Sequence, residues 1–132
     1  MTIVVGYIPR PEGLAAVDAA IVEAERRGER LVVVNTGHFG DNTDPSYAAP
    51  QDLDALDGQL TARGVDHEIR QPSSGRAPAD ELLDAAESLG ATLIVIGLRR
   101  RSPLGKLITG STAQQVLLDA TCDVLAVKVP GP

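Results

Sequence analysis

The segment richest in chemistry runs from Gly97 to Thr112 and reads GLRRRSPLGKLITGST. It holds three glycines (Gly97, Gly105, Gly110), four cations (Arg99, Arg100, Arg101, Lys106) and the hydroxyl pair Ser111-Thr112. Glycine at a strand end lets backbone amides approach a ligand closely. A helix N-terminus offers free N–H groups and a partial positive charge, which suits phosphate. Ser111 and Thr112 can add hydroxyl donors, and the arginines can neutralise phosphate charge. A capped helix after a solvated basic loop explains the same residues, and at this level the two readings stand side by side. Gly105-Lys106 is not a Walker A loop, which needs Gly at position 100 and Ser or Thr at position 107, where Arg100 and Leu107 stand.

Other reactive side chains form no constellation. His38 and His67 have no second ligand at useful spacing, so no metal site is expected. Asp80, Glu81, Asp84 and Glu87 read as one solvated helix face, without a paired general acid and base. No catalytic residue emerges. Cys122 reads as a small apolar filler.

These residues must be carried by short β-branched runs alternating with helical patterns. The strands are Thr2 to Ile8, Leu31 to Thr36, a weak Val65 to Arg70 near the sheet edge, Thr92 to Gly97, and Asp123 to Val129. Apolar spacing of three and four residues marks helices over Leu14 to Arg27, Leu53 to Ala62 and Pro78 to Leu89. Gly28, Gly64 and Gly90 stand where helices end. A last helix is expected to be N-capped by Ser111 or Thr112 and to reach about Asp119. Gly37 to Pro50 is loop composition. Strand–helix alternation implies a parallel sheet with right-handed crossovers, whose ligands settle beyond the carboxyl ends of strands where strand order reverses.

Composition narrows the classes. A length of 132 residues fits one domain, residues 1–132. A net charge of −6, no Trp and only Tyr7, Phe39 and Tyr47 as aromatics argue against nucleic-acid binding. A single cysteine excludes an internal disulfide framework. The N-terminus lacks a basic leader and a long apolar run, so a soluble cytoplasmic protein without a membrane partner is expected.

The run TLIVIGLRRRSPLGKLITGSTAQQVLLDATCDVLAVKV resembles the C-terminal signature of the universal stress protein family. Its nucleotide-binding members carry Gly, two residues, Gly, nine residues, then Gly-Ser or Gly-Thr. Gly97 and Gly110-Ser111 match, while Arg100 replaces the middle glycine. IVVGYIPRPEGLAAVDAA is similar to the family's first strand, loop and helix, and GRAPADELLDAAESLGATLIVIG to its third helix and fourth strand.

The resemblance implies a three-layer α/β/α fold, a Rossmann-like, adenine-nucleotide-hydrolase-like architecture with strand order 3-2-1-4-5. Ile8 and Gly97 would then sit side by side at one cleft. It also implies a stress-response regulator that binds ATP or another adenine nucleotide, with Mg as a companion ion. The site would comprise Tyr7, Ile8, Thr36, Gly97, Arg99, Arg100, Lys106, Gly110, Ser111 and Thr112. Tyr7 could cover the adenine or simply pack. Ile8 replaces the acidic residue that approaches the ribose, and Thr36 would meet adenine through its backbone. A homodimer through Asp123 to Val129 is implied. Two other classes compete: a dimeric interaction module without nucleotide, suggested by Ile8 and Arg100, and a slow ATP hydrolase, which lacks an evident water activator.

Overall fold

The computed structural model describes residues 1–36, 48–72, 75–98 and 110–129. The elements are β1 (Thr2–Tyr7), α1 (Pro11–Arg27), β2 (Arg30–Asn35), α2 (Pro50–Ala62), β3 (His67–Arg70), α3 (Pro78–Leu89), β4 (Leu93–Leu98), α4 (Gly110–Asp119) and β5 (Asp123–Lys128). The strands form one parallel sheet in the order β3-β2-β1-β4-β5. The expected fold is therefore the observed one.

Continuous apolar strands are required because both faces of the sheet are covered. On one face Ile3, Val5, Tyr7, Leu31, Val33 and Val95 pack beneath α1 and α2. On the other, Val4, Val32, Val34, Ile94 and Ile96 pack against α3 and α4 through Leu82, Ala86, Ala113 and Val116. The helices change face because the chain steps outward from β1 to β3, then crosses back to β4.

Three helix starts differ from expectation. α1 begins at Pro11 and α2 at Pro50, each with proline in its first turn. Proline's fixed φ favours the helix there, and its missing N–H costs nothing. Each helix thus begins three residues before the first leucine of its sequence, Leu14 and Leu53 respectively, and Leu14 itself stays exposed. In α4, Gly110 is already the first residue, so Ser111 and Thr112 lie inside the first turn and do not N-cap it. Gly28 and Gly90 close α1 and α3 in the left-handed conformation, with φ of 64° and 62°. No helix among the described residues is long and apolar enough to cross a membrane.

Candidate functional site

β1 and β4 pair at only three positions, Ile3 with Leu93, Val4 with Ile94 and Val5 with Val95. Their other partners continue further, to Tyr7 with Asn35 and Leu98 with Lys128. The two central strands therefore part beyond Val5 and Val95, and a cleft opens between their ends. Gly6, Ile8, Ile96 and Gly97 line it, with Thr36 from the end of β2. The first turns of three helices close around it: Glu12 and Gly13 of α1, Pro78 of α3, Gly110 and Thr112 of α4. This is the point where strand order reverses, the place for a ligand in an open α/β sheet.

The convergence of helix starts gives the cleft its electrostatic character. Neither Arg10 before α1 nor Ala77 before α3 makes a side-chain capping bond. Amide groups and the positive ends of the helix dipoles are thus left for solvent or an anion. Gln115 of α4 donates to Asp80 of α3 at 3.1 Å, holding those two starts together. Gly110 has a φ of 78°, in the left-handed region that favours glycine.

Two glycines seat α1 on the sheet. A Cβ on Gly13 would lie 1.9 Å from the Ile8 carbonyl oxygen, and one on Gly97 would lie 2.0 Å from that of Glu12. Gly97 is thus required by α1 directly, before any ligand is considered.

The lip of the cleft is fixed by Asn35, a buried polar residue only 1% exposed. Its Nδ2 donates to the Tyr7 carbonyl at 3.0 Å. Its Oδ1 accepts from the Ala48 amide at 3.1 Å and from Gln71 Nε2 at 2.9 Å. Gln71 also donates to the Ala48 carbonyl at 3.0 Å. The Thr36 amide donates to the same Tyr7 carbonyl at 3.1 Å. One buried amide side chain thereby ties the end of β1 to the chain entering α2 and to the residue following β3.

Among the residues expected at the site, Ile8, Thr36, Gly97, Gly110 and Thr112 line the cleft together. Ser111 is exposed in the first turn of α4. Tyr7 is 3% exposed and packs in the core beneath α1 and α2. Burial, and then the nearby Asp52 carboxylate, raise its phenol pKa above the usual value. Arg99, Arg100 and Lys106 lie outside the described residues, as do Arg101, His38 and the Gly37–Tyr47 part of the loop. Sequence reasoning missed Glu12, Gly13, Gly6 and Asn35. A Pro-Glu-Gly start to α1 was the available signal for the first two. An Asn ending an otherwise apolar strand was the signal for Asn35.

No group of three or more His, Cys, Asp or Glu residues capable of holding a metal occurs among the described residues. Cys122 is half-buried against the α3/α4 core, and burial raises its thiol pKa.

A doubly wound parallel sheet with a glycine-lined cleft over its switch point places the chain in the Rossmann-like class of α/β proteins. Within that class, the family model described as "Universal stress protein family" matches residues 1–128. A universal stress protein of Mycolicibacterium smegmatis is 44% identical over 129 residues, 98% of each chain. The chain belongs to the universal stress protein family. A solved universal stress protein from Archaeoglobus fulgidus superposes with a TM-score of 0.77 at 33% identity, covering 97% of this chain and 98% of that one. Another, the universal stress protein from Archaeoglobus fulgidus in complex with dAMP, superposes with a TM-score of 0.72 at 28% identity over the same shares.

Proposed function

We propose that this chain binds an adenine nucleotide in the cleft between the ends of β1 and β4, and acts as a regulatory stress-response protein whose conformation or partners depend on it. The observation that carries this reading is the convergence of three helix starts on the point where β1 and β4 part. An anionic group there meets backbone N–H donors without a competing side-chain cap on α1 or α3. The relative solved with dAMP supports the same choice of ligand class.

In this reading the phosphates lie at Gly110, Ser111 and Thr112, with Arg99, Arg100 and Lys106 supplying positive charge and Mg accompanying ATP. Thr36 meets the base and Ile8 lies beside the sugar. The chain works in the cytoplasm as one domain, paired with a second copy through β5.

Calorimetric titration with ATP tests this assignment. Arg100→Ala should weaken binding by roughly ten- to a hundredfold, the worth of one charge-assisted hydrogen bond. Gly110→Val should abolish it. The alternative, an interaction module without nucleotide, is favoured by the apolar Ile8 in the cleft wall. If Arg100 fills the phosphate position instead, wild type should show no binding at millimolar ATP and Arg100→Gly should create it. That result would overturn the first reading and leave the module.

A further inference from the structure

The side chain of His67 is only 12% exposed and is held between two acceptors. One ring nitrogen, Nδ1, faces the Val65 carbonyl at 2.7 Å, and the other, Nε2, faces Asp57 Oδ1 at 2.6 Å. A carbonyl oxygen and a carboxylate both accept, so both bonds form only when each nitrogen carries a proton. A neutral ring has one N–H and must leave one acceptor facing a lone pair. Asp57, 63% exposed on α2, is the partner free to turn to water.

That contact is one of two fastenings between α2 and β3. At the other, Gln71, the residue following β3, donates to the Ala48 carbonyl and to Asn35 Oδ1. Ala48 stands two residues before α2, so the second fastening is also the lip of the cleft. Between the two, α2 rests on the core through Leu53, Leu56 and Leu60. The other charges nearby are already committed. His67 shares a face of β3 with Ile69, which packs into the core below the helices. Glu68 and Arg70 alternate to the opposite face, where Glu68 pairs with Arg70 and with Arg30 of β2. Asp66, just before the strand, reaches Arg30 at 3.8 Å, and Arg63 at the end of α2 pairs with Glu25 of α1.

We propose that His67 is a pH-operated latch: protonated, it holds α2 against β3, and once neutral it lets α2 and the chain entering it at Ala48 open while the rest of the sheet stays folded. Burial lowers the pKa of the ring, but Val65, Asp57 and Asp66 together bring the folded value above 6.5. The latch is therefore closed on the acid side and is lost as pH rises through that value. It works whatever ligand the cleft takes.

Amide hydrogen exchange of the full chain at pH 6 and pH 8.5, each referred to the intrinsic rate at that pH, tests the latch. In wild type, α2 and Ala48 should be less protected than β4 at both values, and should lose about tenfold in protection between them, the equivalent of one pKa unit. His67→Gln does not titrate and should show the low level at both. Asp57→Asn supplies an amide that can donate to the neutral Nε2, so it should keep its protection at pH 8.5. The wild-type measurement needs no variant to fold. Protection in α2 equal to that in β4 at both pH values overturns the latch, because α2 then opens only when the whole chain unfolds. So does wild-type protection that is unchanged by pH, a pH step that survives in His67→Gln, or one that survives undiminished in Asp57→Asn.

Discussion

The carbonyl oxygen of Glu12 lies 2.0 Å from the position that a Cβ on Gly97 would occupy. Backbone of α1 thus rests directly on the end of β4, across the strand that precedes α1. Gly97→Ala should therefore force the first turn of α1 off the sheet. Overpacking of this kind typically costs about 1–3 kcal/mol, and the obstacle here is backbone that no rotamer change relieves. Urea unfolding should show the loss with the m-value unchanged, and nucleotide binding should weaken in parallel. A Gly97→Ala protein of wild-type stability would contradict the contact.

Asn35 should be intolerant of change for a different reason. Asn35→Ala removes the partner of the Ala48 amide and one partner of Gln71, while Thr36 continues to serve the Tyr7 carbonyl. Each buried polar group left unpaired costs about 1–3 kcal/mol. Urea titration should register a loss in that range, and hydrogen exchange should quicken at Ala48 and Thr36 before it does in β4.

His67 predicts a pH dependence of known sign. Its Nδ1 lies 2.7 Å from the Val65 carbonyl oxygen and its Nε2 lies 2.6 Å from Asp57 Oδ1, so two acceptors face one ring. Burial by itself lowers the imidazole pKa. The Val65 carbonyl, the Asp57 carboxylate and the charge of Asp66 outweigh it, and the folded pKa stands above 6.5. A group whose pKa rises on folding stabilises most below its unfolded value, about 6.5, and that stabilisation fades as pH rises through the folded value. Denaturation midpoints between pH 6 and 9 should fall in wild type and flatten in His67→Gln. NMR titration of Asp57→Asn should give a lower His67 pKa than wild type.

Gly110 opens α4 with a φ of 78°. Left-handed backbone costs a residue with a Cβ roughly 1–2 kcal/mol, so Gly110→Val mixes strain with obstruction of a ligand. Gly110→Asn separates them, since asparagine tolerates this region better than other side chains. It should keep most of the stability of wild type, as judged by thermal melting, while still losing nucleotide affinity.

The sheet was legible because its signals are long. Runs such as LVVVN and TLIVIG leave few alternatives, and glycine helix ends such as Gly28 and Gly90 act locally. Apolar spacing does not reveal the starts of α1 and α2, because Pro11 and Pro50 begin those helices on their solvent side, ahead of the first leucine. The site was legible where backbone makes it, at Gly97, Gly110 and Thr36. It was opaque where tertiary contact makes it. The Pro-Glu-Gly start hints at a tight helix entry, but nothing local shows the backbone of Glu12 resting on Gly97 of β4, or Tyr7 turned into the core beneath α1, because both follow from how α1 crosses two strands.

Strand β3 is only four residues long and carries His67, Glu68 and Arg70. Glu68 pairs with Arg30 at 3.1 Å and also with Arg70. Its half-buried strand alternates charge with a single apolar residue, Ile69, so a second strand docking there would have to strip water from paired ions. β5, with Val124, Leu125, Ala126 and Val127 in succession, carries no such barrier. Were two copies to join through β5, each would turn only its charged β3 edge outward, an edge that discourages a third copy and with it growth into fibres.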